Sequence, residues 1–453
     1  MPAPYLGYQP NILVIRTDDA PIDCYTDQGM PTFAAGWISE FITFTDGVCN
    51  VGLCCPTRVA GLTGQTVWRH GVADNVTGDL MDTDATFLPA CRKAGYYTAA
   101  VGKYLNADRH NDSVFAQNDT LGCDERYVFN GDPDYFNYSR FEASTYGNAS
   151  VVNYGDSAAN GGSDANYCTD VEKQNVLDIM GRAVAAGKKF CIYWAPKCAH
   201  QGAGGEPIPA PRHAGLSINL TNTPAFGIDP AEHGGPQWLI DEAAAWDSAF
   251  QQDIIATHKN ALRSMRAFDE ALDAIKTYLT TNSLLTNTVI ILTTDNAHEY
   301  GDMRLDGKGT NRRGASGMLM LVRAPGASHG GETRTQVVGD FDLAPTVCAL
   351  AGATLKVSPD GANFWPCVES SSKQIHEGIP LFSNRGGVQY LGWWDNQGYS
   401  SAVGLAGSDQ EGQAWGWDGG NDFYMIENIG ADHAGMVNAQ SFVNAVEPLT
   451  TLA

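Results

Sequence analysis

The segment NILVIRTDD, from Asn11 to Asp19, joins a short apolar run to a pair of carboxylates. Continuous apolarity without polar alternation is typical of a strand whose two faces are both covered by helices. Apolar residues at helical spacing occur over about 170–186 and 253–279, between further runs of this kind. Strands that alternate with helices predict an α/β fold with a mostly parallel sheet. The other apolar runs are YTAAVG (Tyr97–Gly102), FCIYWA (Phe190–Ala195), VIILTT (Val289–Thr294) and MLMLV (Met318–Val322).

The composition changes along the 453 residues and suggests two domains. Loops rich in Gly, Asn and Asp are predicted over 106–166 and 201–235, and loops of this length usually form walls or lids of a site. A short helix is predicted near 343–350, and from about Val368 the chain is rich in Gly, Ser and Trp. We predict a large domain over 1–367 and a smaller C-terminal domain over 368–453. At least two tryptophans of the smaller domain are expected in its core, among Trp393, Trp394, Trp415 and Trp417.

The charge and the cysteine content restrict the partners and the compartment. A formal net charge of -23 argues against nucleic acid and against an anionic membrane surface, so an anionic substrate requires a local cationic pocket. No apolar run is long enough to span a bilayer, and the N-terminal MPAPYLGYQPN shows no signal-peptide pattern. The 11 scattered cysteines indicate an oxidising compartment. N-x-S/T sequons support a secreted glycoprotein and occur at Asn75, Asn111, Asn118, Asn137, Asn148 and Asn219.

Polar side chains follow the apolar runs at the points where the predicted strands end. Asp18 and Asp19 follow the first run, and Asp295 and Asn296 follow VIILTT. Ligands of open α/β sheets bind outside the carboxyl ends of the strands, so these side chains are expected to face one crevice. Carboxylate and amide oxygens suit Ca²⁺ or Mg²⁺ and do not suit zinc or copper. Each pair alone is also explained as a turn that ends a strand, because Asp and Asn favour turns.

Three further residues supply positive charge near the same strand ends. Lys103 follows YTAAVG, His200 follows FCIYWAPKCA, and Lys308 lies downstream of Asp295. Each alone is explained equally well as a solvated side chain or a loop hydrogen-bonding residue. Together with a divalent cation they predict a cationic pocket suited to a tetrahedral oxyanion.

The segment GLCCPTRVAGLTGQ, from Gly52 to Gln65, places two adjacent cysteines before a proline. Neighbouring cysteines pair with each other only under strain, so two separate roles are expected. The segment resembles the signature C-x-P-S/T-R, followed by an apolar helix and L-T-G, of the sulfatase family in the alkaline phosphatase superfamily. GKYLN and the CCP form of the signature are similar to the arylsulfatase and N-acetylglucosamine-6-sulfatase branch. Other segments follow in the family's order: AGYYTAAVGKYLN, YCTDVEKQNVLDI, WAPKCAHQG, NTVIILTTDNAHEYGDMRLDGKG and DFDLAPTVCALAGA.

This resemblance implies a fold and a nucleophile. The fold is a large alkaline-phosphatase-like α/β domain with a central, mostly parallel mixed sheet flanked by helices, followed by a small C-terminal α+β domain with an antiparallel sheet. Cys54 is implied to be converted to formylglycine (3-oxoalanine) by a formylglycine-generating enzyme, whereas Cys55 stays a thiol. The ten cysteines left would be even in number and compatible with disulfides. One hydroxyl of the hydrated aldehyde attacks sulfur, and the other later expels sulfate.

The resemblance also assigns roles to the polar residues. The implied ligands of the cation, Ca²⁺ first and Mg²⁺ second, are Asp18, Asp19, Cys54, Asp295 and Asn296. Arg58 is implied to hold the formylglycine hydroxyl. Lys103 and Lys308 match lysines that contact sulfate, and His200 matches a histidine near the leaving-group oxygen. The predicted reaction is hydrolysis of sulfate monoesters, on a sulfated carbohydrate with an aryl sulfate as surrogate, in a secreted, periplasmic or lysosomal-type compartment.

Some residues depart from the family pattern and leave alternatives open. Ala297 replaces the usual glycine after Asn296, His298 is shifted by one place, and Arg312 with Arg313 could reshape the substrate pocket. A phosphonate or phosphate ester hydrolase on the same scaffold is one alternative. A non-catalytic secreted glycan-binding protein is an alternative from another class.

Overall fold

The computed structural model of the chain describes residues 2–106, 121–155, 163–385, 388–395, 399–404 and 414–418. Its strands, numbered in chain order, are β1 Asn11–Thr17, β2 Ile42–Phe44, β3 Gly47–Val48, β4 Tyr97–Gly102, β5 Glu125–Phe129, β6 Tyr138–Ala143, β7 Ser150–Tyr154, β8 Phe190–Ala195, β9 Thr288–Thr294, β10 Glu299–Tyr300, β11 Asp306–Gly307, β12 Met320–Arg323, β13 Thr333–Arg334, β14 Val338–Gly339, β15 Gly378–Arg385, β16 Val388–Asp395, β17 Tyr399–Gly404 and β18 Ala414–Asp418.

A ten-stranded mixed sheet with the order β13-β2-β12-β9-β1-β8-β4-β5-β6-β7 forms the centre of the fold. The strands β9, β1, β8, β4 and β5 are mutually parallel, so their carboxyl ends lie along one edge. The predicted strand at MLMLV is β12, which pairs antiparallel to β9. The five predicted strands and the mostly parallel, mixed sheet are therefore confirmed.

Helices cover both faces of this sheet. Alternate residues of β1 enter different cores: Ile12 and Val14 pack in one, and Leu13 and Ile15 pack in the other. The long helix Ser248–Thr281 and the helix Cys168–Ala185 cover the second face and confirm the two predicted helices. The other α-helices are Pro31–Ala35, Cys54–Thr63, Val67–His70, Phe87–Lys93, Gln237–Ala243, Arg313–Ser316, Leu343–Ala351 and Trp365–Glu369. Short 3-10 helices are Ile22–Tyr25, Trp37–Glu40, Gly78–Leu80, Thr83–Ala85, Asp164–Asn166, Pro211–His213, Pro230–His233, Leu285–Asn287, Pro325–Ala327 and Asp340–Asp342.

The prediction of a continuous loop over 106–166 is wrong. Its described part contains β5, β6 and β7, which extend the large sheet by antiparallel pairing of β6 and β7. β7, SVVNY, lies largely exposed at the edge of the sheet. An exposed edge strand does not need the continuous apolar run by which the central strands were predicted, so the sequence pattern did not reveal it. The segment 201–235, in contrast, has neither strand nor α-helix and is a loop as predicted.

The C-terminal region forms a separate four-stranded antiparallel sheet, β15-β16-β17-β18. Trp394 and Trp415 are buried there and pack in one apolar cluster with Phe341, which confirms that at least two tryptophans are core residues. The division at residue 367 stays a prediction, and it falls inside the helix Trp365–Glu369, which packs into the core of the large sheet. The segment 419–453 lies outside the described residues.

The cysteines do not form disulfides in the structure, which corrects the expectation from their even number. All of them are buried, and apart from Cys54 they pack as small apolar side chains in the cores on the two faces of the large sheet. The buried cysteines are Cys24, Cys49, Cys54, Cys55, Cys91, Cys123, Cys168, Cys191, Cys198, Cys348 and Cys367. Among the described residues, the helices all lack the combination of length and apolarity that crossing a membrane requires.

Candidate active site

The carboxyl edge of the large sheet brings the polar strand-end residues together. β1 and β9 are neighbours, with Thr17 opposite Thr294, so Asp18 and Asp295 leave the sheet side by side. The backbone N–H of Asp19 donates to Asp295 Oδ1 at 3.0 Å. Lys103 directly follows β4 on the same edge, and its backbone N–H donates to the carbonyl of the last residue of β8 at 2.7 Å. These positions follow directly from the parallel register.

The helix Cys54–Thr63, here called the signature helix, presents its first residue to this edge. It is buried over its whole length, begins after an extended Leu53 and ends at Gly64 in the left-handed region with φ 77°. Cys54 Sγ lies 3.5 Å from Asp18 Oδ1 and 3.7 Å from Asp19 Oδ1. Cys55 lies in the large apolar core instead. The two adjacent cysteines therefore occupy different environments.

Three cations surround the carboxylates: Arg58 and Lys103 are buried, and Lys308 is partly buried. Arg58 Nε donates to Asp295 Oδ2 at 2.9 Å, and its Nη2 forms an ion pair with the same oxygen at 2.8 Å. Lys103 Nζ is 2.6 Å from Asp18 Oδ2. Lys308 Nζ contacts Asp19 and lies 2.8 Å from the Sγ of Cys54. These three cations balance the three carboxylates Asp18, Asp19 and Asp295, so the pocket would become cationic with the implied divalent cation.

The pKa values of the acidic groups follow from burial and these charges. Burial acts to raise the pKa of Asp18, but the positive charges around it, that of Lys103 first, together outweigh burial and hold the pKa well below the usual carboxyl range. For Asp19, burial also acts to raise the pKa and the ammonium of Lys308 acts to lower it. The net effect is again a lowered pKa. For Asp295, burial and then the charge of Asp18 raise the pKa to about 6. Burial raises the pKa of the Cys54 thiol well above its ordinary value.

The donor atoms of the site fit a hard divalent cation. Asn296 Nδ2 donates to Asp19 Oδ1 at 2.6 Å, whereas the buried Oδ1 of Asn296 has no hydrogen-bond partner in the described parts of the chain. Asp18, Asp19 and Asp295 add carboxylate oxygens around it, a set that Ca²⁺ and Mg²⁺ prefer. One atom from each of Asp18, Asp19, Cys54 and His200 lies within 4.8 Å of the others. The residues present therefore fit the implied cation.

Two residues of the site escaped the sequence analysis. Asp132 Oδ1 lies 3.2 Å from Lys103 Nζ and 3.0 Å from Lys197 Nζ. Lys197 Nζ in turn lies 3.1 Å from Nδ1 of His200, whose Nε2 is 3.5 Å from Asp19 Oδ2. Lys197 could have been suspected, because it follows a strand within WAPKCAH. Asp132 gave no signal, since it lies in a segment predicted as loop.

A largely apolar cavity of about 460 Å³ adjoins the site. His298 lines it and lies 3.9 Å from Asp19 through Nδ1, while its ring stacks on Tyr300. The predicted loop 201–235 contributes a wall through its residues 221–224 and 226. Arg313 lines the cavity, whereas Arg312 is buried in an ion pair with Glu299 at 2.8 Å. Only Arg313 is therefore placed to shape this space.

Comparison with known proteins identifies relatives over most of the chain. A family model described as Sulfatase matches residues 10–353. The chain is 23% identical over 382 residues to a Sulf-1 homolog of Caenorhabditis elegans, covering 82% of this chain and 50% of that protein. It is 25% identical over 351 residues to N-acetylglucosamine-6-sulfatase of Capra hircus, covering 73% of this chain and 58% of the relative. The chain thus spans about half to three fifths of these relatives' lengths.

Solved structures are similar in fold. One, described as a complex with its substrate D-glucosamine-2-N,6-O-disulfate, has a TM-score of 0.70 at 19% identity and covers 98% of both chains. The phosphonate monoester hydrolase of Agrobacterium radiobacter has a TM-score of 0.70 at 15% identity, covering 97% of this chain and 95% of the other.

Proposed function

Because this chain belongs to the sulfatase family, we propose that it hydrolyses sulfate monoesters with a nucleophile formed from Cys54. The observation that carries the proposal is the placement of Cys54 Sγ, 2.8 Å from Lys308 Nζ and within 3.7 Å of both Asp18 and Asp19. A cysteine with a solely structural role has no need of this charged setting, and Cys55 beside it packs in the apolar core instead.

The groups that the family adds would complete this arrangement. Formylglycine at position 54 would supply, as its hydrate, a hydroxyl nucleophile and a second hydroxyl on the same carbon. A divalent cation held by Asp18, Asp19, Asp295 and Asn296 would supply Lewis-acid polarisation. Ca²⁺ is our first choice for it and Mg²⁺ the second.

The chain's own residues bind and orient the substrate. Lys103 and Lys308 provide the positive charge that a sulfate group requires in a protein with a net charge of -23. Arg58 fixes Asp295 from two nitrogens and donates through Nη1 to the carbonyl of Lys103 at 2.7 Å, which ties the signature helix to the strand ends. His200 directs Nε2 towards Asp19, and under this proposal it contacts the leaving-group oxygen.

The substrate class and the compartment are part of this proposal. A sulfated carbohydrate is proposed as the substrate, supported by the relatives named as N-acetylglucosamine-6-sulfatases. A formylglycine-generating enzyme is the proposed maturation partner. A secreted, periplasmic or lysosomal-type location is supported by the exposure of the sequon residues Asn137, Asn148 and Asn219, whereas Asn111 and Asn118 lie outside the described residues.

Paired cysteine variants test the proposed nucleophile. Cys54→Ala is expected to abolish turnover of a chromogenic aryl sulfate, because no neighbouring group offers two hydroxyls on one carbon. Cys55→Ala is the matched control, and it should retain turnover at a cost of about 1–3 kcal/mol in unfolding free energy from lost core packing. Peptide mass spectrometry of the active wild type should find the aldehyde at residue 54. An intact Cys54 thiol throughout fully active protein would contradict the proposal.

Metal analysis tests the proposed cation. We expect one calcium per active molecule, and a chelator should lower both activity and melting temperature, because the cation binds only the folded state. Asp295→Ala should lose the metal and the activity together. Stoichiometric zinc in active protein, or an Asp295→Ala variant that turns over without metal, would refute the ligand assignment.

The phosphonate monoester hydrolase with the same fold makes that activity a second candidate. The two reactions are separated by comparing kcat/KM for an aryl sulfate with that for the matching aryl phosphate and phenylphosphonate monoester. Preference for the sulfate supports our proposal, whereas preference for the phosphonate would replace it. Turnover of none of them by protein that carries the aldehyde would favour the non-catalytic glycan-binding alternative.

A further inference from the structure

Lys197 contacts the side chain of His200 from inside the protein. The loop after β8 makes a turn in which the backbone N–H of His200 donates to the carbonyl of Lys197 at 3.0 Å. The turn brings Lys197 Nζ to 3.1 Å from His200 Nδ1 and 3.0 Å from Asp132 Oδ1. The Lys197 side chain is only 1% exposed, so its ammonium group is held by these partners and not by solvent.

His200 Nδ1 has a second neighbour that requires a different proton position. The carbonyl oxygen of Gln201 lies 2.8 Å from Nδ1 and can only accept. The ammonium of Lys197 can only donate, and a neutral imidazole has one donor and one acceptor nitrogen. Nδ1 therefore either accepts from Lys197 or donates to Gln201. The bond from the ammonium is charge-assisted and roughly twice as strong as the neutral alternative, so it decides the tautomer.

We propose that Lys197 is a positioning residue that holds His200 in the tautomer with the proton on Nε2. His200 Nε2 lies 3.5 Å from Asp19 Oδ2, on the side of the ring that faces the Cys54 cluster. The proposal rests on the proposed sulfatase function, because it concerns the bond that His200 makes to the ester. As the sulfur–oxygen bond breaks, its electron pair stays on the leaving oxygen, and Nε2–H stabilises the developing charge by a hydrogen bond.

Removal of the ammonium should reverse the tautomer. Without Lys197, the tautomer with the proton on Nδ1 becomes the more stable one, because Nδ1–H then donates a hydrogen bond to the Gln201 carbonyl. The lone pair of Nε2 would then face the leaving oxygen and repel it. The penalty should grow with the basicity of the leaving group, because a more basic oxygen carries more negative charge in the transition state. Phenyl sulfate should therefore suffer more than 4-nitrophenyl sulfate.

Nitrogen NMR of the whole protein reads the tautomer without any turnover. The 10 histidines are labelled with ¹⁵N, and a His200→Asn variant assigns the signals of His200. We expect a protonated Nε2 in the wild type and in Lys197→Arg, and a protonated Nδ1 in Lys197→Met. A protonated Nδ1 in the wild type overturns the inference, even where sulfate turnover confirms the proposed function. This wild-type result also decides the matter if Lys197→Met fails to fold.

Kinetics with two leaving groups give the second readout. Lys197→Met should lose kcat/KM for phenyl sulfate by about tenfold or more beyond its loss for 4-nitrophenyl sulfate. Lys197→Arg should restore most of the difference. Lys173→Met is the matched control, because Lys173 pairs with Asp170 at 3.0 Å on the outer surface, and it should leave both rates unchanged. Equal losses on both esters in Lys197→Met would overturn the proposed role.

Discussion

A single buried carboxyl, Glu172, shows how far a residue can depart from what its sequence context suggests. It lies in CTDVEKQN, where a glutamate four residues into a helix would normally face water. In the structure it is fully buried, and Trp194 Nε1 donates to its Oε2 at 3.0 Å. Burial raises the pKa of Glu172 to about 8. The sequence could not predict this, because helical spacing alone does not separate this glutamate from its exposed neighbours.

The raised pKa of Glu172 predicts a stability that falls as pH rises. Below pH 4.5 the carboxyl is protonated in both the folded and the unfolded chain. Between pH 4.5 and about 8 only the unfolded chain ionises, so it is favoured progressively, by on the order of 5 kcal/mol in all. Glu172→Gln should reduce this slope in denaturant unfolding at pH 5, 6.5 and 8. The control Asp178→Asn, exposed on the same helix, should leave it unchanged. Equal slopes in the wild type and Glu172→Gln would contradict the assignment.

At the scale of elements, the signature helix is held against β1 by one arginine. Arg16 interrupts the apolar run of β1, and Arg16 Nη1 donates to the carbonyl of Thr57 in the helix at 2.9 Å. A Cβ at Gly61 would lie 2.2 Å from this Nη1, so glycine is required for the close approach. The helix and its first residue were predictable from the C-x-P-T-R motif. Its docking was not, because only the folded structure shows that Arg16 and Gly61 meet.

Gly61→Ala is expected to weaken the protein although alanine favours helices. The new methyl group would displace Arg16 from Thr57 in a buried site, and overpacking of this kind costs about 1–3 kcal/mol. Gly181→Ala in the helix Cys168–Ala185 is the matched control, because its Cβ would meet only Tyr278 Oη at 3.4 Å. It should be neutral or stabilise by about 0.5–1 kcal/mol. Thermal unfolding of both variants gives the comparison, and an unchanged Gly61→Ala would show that Arg16 has room to move.

At the scale of the whole molecule, the C-terminal sheet takes part in building the site. Arg385, the last residue of β15, donates to the carbonyls of Lys308 and Asp306 at 2.6 and 2.8 Å. It also pairs with Glu242 at 2.7 Å. The parallel core was predictable, because strands covered on both faces are continuous apolar runs. The contact between the two sheets was not, since a change in composition marks a region without showing where it packs.

Arg385→Ala is expected to lower activity more than stability. Loss of the hydrogen bonds to the two carbonyls would release the segment that carries Lys308. Catalytic groups must be held within a fraction of an ångström, so we expect kcat/KM for an aryl sulfate to fall by roughly tenfold or more. The partly exposed ion pair with Glu242 should add only about 0–1 kcal/mol to the unfolding free energy. Arg304→Ala is the control, because Arg304 pairs with Asp229 at 2.7 Å near the same segment without touching Lys308. Equal activities in the two variants would contradict the anchoring role.

Cys54 is completely buried, with 0% exposure, so its conversion competes with the folding of the chain around it. Under the proposed modification, the converting enzyme reaches this thiol only before the chain closes over it. Arg385 is translated about 330 residues later, which at about 5–20 residues per second takes on the order of twenty seconds to a minute. Chains that fold around residue 54 within that interval would stay permanently inert. The active fraction of a preparation should therefore rise when elongation and early folding are slowed, for example by expression at lower temperature, even with the converting enzyme held constant.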